Sequence, residues 1–223
     1  MKRRALLIAP VVAPLAARLT AAVAPSLTMA LALGGGLSGP AAAAPADLAQ
    51  AVRERLRQPE WLRGEFTQTK KVAGFAKPLL SRGDFVLARG RGVLWRTVKP
   101  FASELRLTRD EIRATQGGQT AMRLEAAREP VVRVINSLMF SLLNGDVSGL
   151  GELFELDGAV KGASWQLALT PKPGALRQVL RKVDLEGDSF VRRIQLFEAN
   201  GDESLIELVN LRPDVAPEPG LFQ

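Results

Sequence analysis

The sequence contains no cysteine, no histidine and no tyrosine. Without cysteine no disulfide can staple the fold, even in an oxidising compartment, so a hydrophobic core must hold it alone. Without histidine, Ser-His-Asp and Cys-His arrangements and every imidazole metal site are excluded. Any chemistry would fall to carboxylates, lysine or serine. The acidic residues that crowd together, Glu152, Glu155 and Asp157, read as the solvated face flanking a short helix. Gly90-Arg91-Gly92 lacks the following helix with Lys-Ser/Thr that a phosphate loop needs, and reads as a turn. Aromatic residues make up only 5% of the chain, and no basic run is interleaved with them, which argues against nucleic acid. The expectation is therefore a protein that is no enzyme, with no catalytic residue, no metal and no cofactor.

Acidic residues are also missing from everything before Asp47. Lys2, Arg3 and Arg4 open the chain, an Ala-, Leu- and Val-rich stretch follows, and small residues close it at Ala41-Ala42-Ala43-Ala44-Pro45-Ala46. That is the layout of a cleaved secretory signal. Pro45 makes cleavage after Ala43 the expectation, with Ala46 as the alternative. The competing reading is an uncleaved anchor. It needs about 20 uninterrupted apolar residues, whereas Pro10, Pro14, Arg18, Pro25 and Gly34-Gly35-Gly36 break the run. Taking residues 1–43 from the 223 leaves 180, a suitable length for one domain spanning 44–223. With Lys2, Arg3, Arg4 and Arg18 gone, the formal charge falls from +7 to +3. Much of the basicity thus belongs to targeting, and the expected destination is the periplasm.

What is present beyond Asp47 alternates mostly with the period of strands. Asp47 caps a short helix through Leu48, Ala51, Val52 and Leu56 that Pro59 stops. A first strand runs from Trp61 to Lys70, then Asp84 to Arg89 pairs across Gly90-Arg91-Gly92 with Val93 to Val98. Leu105/Leu107, Ile112 and Ala121–Leu124 mark shorter strands. Residues 130–144 change period: Val131, Val134, Ile135, Leu138, Met139, Leu142 and Leu143 form one helical stripe, with Pro130 at its start and Gly145 at its end. A second short helical piece is expected through Leu150, Leu153 and Phe154. Strands then resume at Trp165–Leu169, Val183/Leu185, Val191–Phe197 and Leu205–Val209, with a hairpin at Asn200-Gly201 and an irregular tail from Arg212. No parallel βαβ alternation is present, so a dinucleotide-binding fold is not expected.

Two features stay open on the residues alone. The stripe over 131–143 reads either as ordinary core or as the wall of a hollow. Arg89 shares a pleat face with Phe85 and Leu87, so it is either a strand-end cation reaching solvent or a guanidinium bonded across an apolar pocket, since burying it unpaired costs several kcal/mol.

Phe66-Thr67-Gln68-Thr69-Lys70, Pro78 through Phe85, Gly92-Val93-Leu94-Trp95 and Lys99-Pro100 together resemble the N-terminal half of LolA-type periplasmic lipoprotein carriers. Leu169-Thr170-Pro171-Lys172, Leu185 to Asp188 and Ile194 to Asp202 resemble their C-terminal half in the same order. The departures are Arg89-Gly90 where the family has Arg-Pro, and Val93 where it has an aromatic two residues before the tryptophan. The chain thus resembles a divergent member. The resemblance implies a mainly β fold with some α, an open, incomplete antiparallel β-barrel covered by a helical lid. It implies an acyl-chain cavity, for which Phe66, Phe85, Leu87, Trp95, Ile135, Leu138, Met139 and Leu142 are the candidates, and a lid latch at Arg89. The implied function is carriage of acylated lipoproteins, received from an inner-membrane transporter and handed to an outer-membrane acceptor by a monomer. The alternatives are a carrier of another acylated lipid or glycolipid, and a periplasmic sensor or structural module whose barrel is filled.

Overall fold

The computed structural model describes residues 45–125, 128, 149–217, 221 and 222. Helix α1 (Pro45–Arg53) begins two residues before Asp47, which lies in its first turn where a carboxylate faces the positive end of the helix dipole. Its apolar residues Leu48 and Val52 recur at four-residue spacing, and Leu56 continues that side just past the helix; all three are buried. Five further strands follow the first: β1 (Trp61–Lys71), β2 (Leu79–Ala88), β3 (Gly92–Lys99), β4 (Ser103–Leu107), β5 (Glu111–Gln116) and β6 (Gln119–Glu125). Beyond a one-turn helix α2 (Leu150–Leu153) come β7 (Phe154–Lys161), β8 (Ser164–Pro171), a 3₁₀ turn (Ala175–Gln178), β9 (Leu180–Gly187), β10 (Val191–Glu198) and β11 (Glu203–Pro213).

These strands make one antiparallel sheet in the order β6-β5-β4-β3-β2-β1-β11-β10-β9-β8-β7. It consists of two meanders, β1–β6 and β7–β11, sewn together where β1 pairs with β11. β6 and β7 follow one another in the chain yet lie at opposite edges, so the sheet is open and not a closed barrel. The expected mainly β, antiparallel, incompletely closed architecture is what the chain adopts. The stripe at 131–143 lies outside the described residues.

One expectation is corrected. The apolar positions Leu150, Leu153 and Phe154 read as one helical piece, but the helix ends at Leu153 and Phe154 begins β7. In β7 the alternation Phe154, Leu156, Gly158, Val160 faces Pro171, Leu169, Leu167 and Trp165 of β8, and a period of two wins over the short helical spacing. Glu155 and Asp157 are the exposed alternates of this strand. The last strand also reaches Pro213, two residues into the tail read as irregular from Arg212.

The face on which α1 and α2 pack is here the inner face. Its core joins Leu48, Val52 and Leu56 to Phe66, Phe85, Trp165, Leu167, Leu169 and Leu185. α1 is pinned at its C-terminal side by the Arg57 amide donating to the Ser189 carbonyl at 2.9 Å and Arg55 Nε donating to the Gly162 carbonyl at 2.7 Å. Trp165, 2% exposed, donates its indole N–H to the Asp188 carbonyl at 2.7 Å. Trp165→Phe keeps most of the ring and removes that donor. It is expected to cost about 1–3 kcal/mol, seen in urea denaturation as a lower midpoint at unchanged slope; an unchanged midpoint would show the bond contributes nothing.

The outer face is buried in one place. Val86, Ala88 and Leu94 are each 3% exposed or less, and the C-terminal Phe222 ring lies 6.2 Å from that of Trp61, with the Arg91 guanidinium 5.2 Å above the same indole. Phe85 through Ala88 is accordingly buried without alternation, as a strand covered on both sides tolerates an unbroken apolar run.

Candidate functional site

Residues directly opposite in an antiparallel sheet share a face, so the register defines the inner surface row by row. Phe85, Trp95, Leu105 and Ala114 form one row, and Leu87, Val93, Leu107 and Ile112 the next. In the other meander Ile206, Ile194, Leu185 and Leu167 form a row, and Ser204, Leu196, Val183 and Leu169 another. The inner face is thus largely apolar across both meanders, with Ser204 the polar member of these rows.

At its centre three aromatic rings meet. Phe66 stacks on Trp95 with centroids 3.9 Å apart, and Phe85 lies 5.7 Å from the same indole. Two glycines make this possible. Phe66 sits directly across from Gly83, and Phe85 directly across from Gly64. A Cβ on Gly83 would come within 2.9 Å of the Phe66 ring, and one on Gly64 within 2.7 Å of the Phe85 ring. Each ring therefore lies flat over a bare strand position. Such stacked pairs contribute about 0.5–1.5 kcal/mol beyond area burial.

Phe66, Phe85 and Leu87 are fully buried, whereas Trp95, Ile194 and Leu196 on the same face are only partly so. Of the other candidate cavity residues, Ile135, Leu138, Met139 and Leu142 lie outside the described residues. Arg89 stands one position beyond β2, exposed in the turn to β3, where its backbone N–H donates to the Glu60 carbonyl at 2.9 Å.

Sequence reasoning missed the polar end of the inner face. Lys70, Gln68 and Ser204 are buried there, two and four positions along β1 from Phe66 and across from it on β11. Lys70 Nζ lies 2.6 Å from Glu198 Oε1 and 3.2 Å from Asp202 Oδ2. Burial pushes the Glu198 pKa up, against the opposing pull of Lys70. Burial also works to raise that of Asp202, but the Ala73 amide, Lys70 and Asn200 together hold it below the usual range. Gln68 Nε2 and Ser204 Oγ are buried without a hydrogen-bond partner among the described residues. The signal that could have found this end is the FTQTK segment itself, whose Gln68 and Lys70 continue the face of Phe66 at a period of two.

Among the described residues no helix is long and apolar enough to cross a membrane, and no three acidic side chains gather as metal ligands would. A polar depression lined by Thr108, Glu111, Arg113 and Arg123 lies at the β5–β6 edge, and its arginines are already paired with Glu111 at 3.0 and 2.7 Å.

The family described as outer membrane lipoprotein carrier protein LolA matches residues 57–223. No curated protein matches the sequence. Among solved structures, the chain is similar to a LolA superfamily protein from Nitrosomonas europaea (12% identity, 81% of this chain and 98% of that one, TM-score 0.46). It is likewise similar to a DUF1329 family protein from Desulfovibrio piger (13%, 80% and 95%, TM-score 0.46). A third is a chain of the Pseudomonas aeruginosa MucA/MucB complex (17%, 79% and 58%, TM-score 0.32). With TM-scores this low, none of these likenesses carries weight in the functional reading.

Proposed function

The chain belongs to the family of LolA outer membrane lipoprotein carrier proteins, and we propose that its inner face shelters the acyl chains of a lipoprotein during passage from the inner to the outer membrane. The observation that carries this reading is the partly buried apolar surface of Trp95, Ile194 and Leu196 on the face where Phe66 and Phe85 stack on the Trp95 indole. These partly buried side chains lie on the face that α1 packs against, where acyl chains would complete their burial. Acyl chains contribute about 0.8 kcal/mol per buried CH₂, so two or three of them need a host to cross water. In this reading residues 1–43 direct export and are removed, and 44–223 works in the periplasm as a monomer without cofactor or catalysis. An inner-membrane transporter loads it and an outer-membrane acceptor unloads it.

The test is mass spectrometry of organic extracts from protein purified from its native host, paired with displacement of a fluorescent fatty-acyl probe. Co-purifying acylated protein is the expected result; a glycolipid in its place would keep the carrier and change the cargo. Trp95→Glu puts a carboxylate on the open part of the face and is expected to weaken probe binding by about a hundredfold, with the cooperative unfolding transition retained because Trp95 is only half buried. A parent protein that carries no lipid and binds no probe would establish a filled interior. Intact mass starting at Met1 in a membrane pellet would overturn the export step.

A further inference from the structure

At the end of the sheet formed by the β1–β2 loop, the start of β2 and the β3–β4 connection, large apolar side chains face solvent. Phe75 is 75% exposed, Leu80 64%, Val98 57%, Phe101 55% and Leu79 42%. Register brings them into one corner. Leu79 and Leu80 open β2 opposite Lys70 and Thr69 at the end of β1, and Arg82 pairs with Lys99 at the end of β3. Val98 is the extra residue of a bulge between the pairs Arg82–Lys99 and Gly83–Thr97, and a bulge turns its residue out of the pleat. Cations accompany the apolar tips: Lys71, Lys77, Arg82 and Lys99 are all exposed. No acidic residue occurs in 71–83 or in 97–103. The nearest carboxylates are already engaged, Glu203 with Lys71 at 3.5 Å, Asp84 with Arg96, and Glu198 and Asp202 with buried Lys70.

We infer that this corner docks reversibly on an anionic phospholipid surface, with Phe75, Leu80, Val98 and Phe101 entering the headgroup boundary and Lys77, Arg82 and Lys99 meeting the lipid charge. An exposed apolar patch of this kind marks an interaction site and not ordinary surface. Aromatic and aliphatic tips ringed by Lys and Arg suit a bilayer interface, where the two contributions add. A partner protein would match the apolar tips equally well, but among the described residues Lys77, Arg82 and Lys99 have no carboxylate partner, which favours a surface of uniform negative charge. The inference goes beyond the carrier reading and stands whatever the inner face holds.

Flotation of the purified chain with vesicles of phosphatidylglycerol and phosphatidylethanolamine tests it, against phosphatidylcholine vesicles. Every variant is compared with the parent carrying the same N-terminus, so that residues 1–43, where present, contribute equally. The parent is expected to float with the anionic vesicles only, and to be released by salt. Each cation near such a surface contributes about fivefold in partitioning, so the triple variant K77Q/R82Q/K99Q is expected to lose about a hundredfold. Phe75→Ser with Phe101→Ser is expected to lose vesicle binding while keeping acyl-probe binding, since both side chains lie outside the core. Flotation unchanged in both variants, or absent in the parent, would overturn the inference. Variants that float normally but lose transfer to a protein acceptor would assign the corner to a protein partner instead. Failure of the acyl-probe arm alone would count against the carrier reading and leave the membrane contact standing.

Discussion

Lys70→Met is expected to remove about 3–5 kcal/mol of stability at neutral pH, because it leaves Glu198 and Asp202 buried without their shared cation. The loss should depend on pH with a definite sign. Glu198 has its folded pKa raised above its ordinary 4.5. A carboxyl of that kind destabilises the fold once pH climbs through the unfolded value, and does nothing below it. Removing Lys70 raises it further, so the deficit should be full at pH 7 and shrink as the pH falls toward 4.5. Asp202 behaves oppositely in the parent. Its depressed pKa contributes stability that is present above the ordinary 3.8 and is lost as pH falls through the folded value. Denaturant titrations of parent and variant at the two pH values give the measurement. A deficit that is equal at both, or below about 1 kcal/mol, would show that Lys70 behaves as an exposed cation. Replacing all three groups with apolar residues of similar size should recover most of the loss, since burying an ion network is itself costly.

That triad also shows where sequence reasoning stops. Lys70 lies at the end of a strand that was legible as a strand, and the alternation placing it on the Phe66 face was legible too. Its partners stand 128 and 132 positions away, and only the pairing of β1 with β11 brings them together. No local pattern encodes that pairing. The hairpins, by contrast, were written locally: Asn200-Gly201 turns β10 into β11, and Gly90-Arg91 turns β2 into β3. β7 was missed because Leu150, Leu153 and Phe154 fit a helical period over too few residues to decide. The face of Phe85 and Leu87 was readable from alternation, but the burial of Val86 and Leu94 on the opposite face was not, because the alternation of one strand does not say what covers its outer side. Arg89 was read as the next residue of that face; it stands one position past the end of β2, exposed at the turn. The exposed corner of Phe75, Leu80, Val98 and Phe101 went unread for a related reason. Apolar residues near turns look like strand ends until the register shows them facing water.

Gly83→Ala is expected to cost more than about 4 kcal/mol and to abolish acyl binding, an effect far outside the usual range for one methyl group. Gly83 stands in β2 between Phe66 on β1 and Thr97 on β3. A Cβ there would overlap the backbone carbonyl of Arg96, and would come within 2.9 Å of the Phe66 ring. The first clash is with main chain, which can move only if β2 and β3 part. The second is with a side chain that could rotate, at the cost of its stack on Trp95. A second variant separates them. If the carbonyl clash dominates, Phe66→Ala added to Gly83→Ala recovers nothing and the chain remains destabilised. If the double variant regains a cooperative transition near that of Phe66→Ala alone, the ring was the obstacle and the β2–β3 pair is more pliant than its register implies. Gly149→Ala serves as the control, because that glycine has ordinary helical angles and nothing among the described residues within 4 Å of an added Cβ. It should change stability by less than about 1 kcal/mol. The contrast ties stability to function at one position. The bare strand that lets the Phe66 ring lie against Trp95 is also the one that lets β3 close on β2, so the aromatic floor of the inner face and the pairing beneath it stand or fall together.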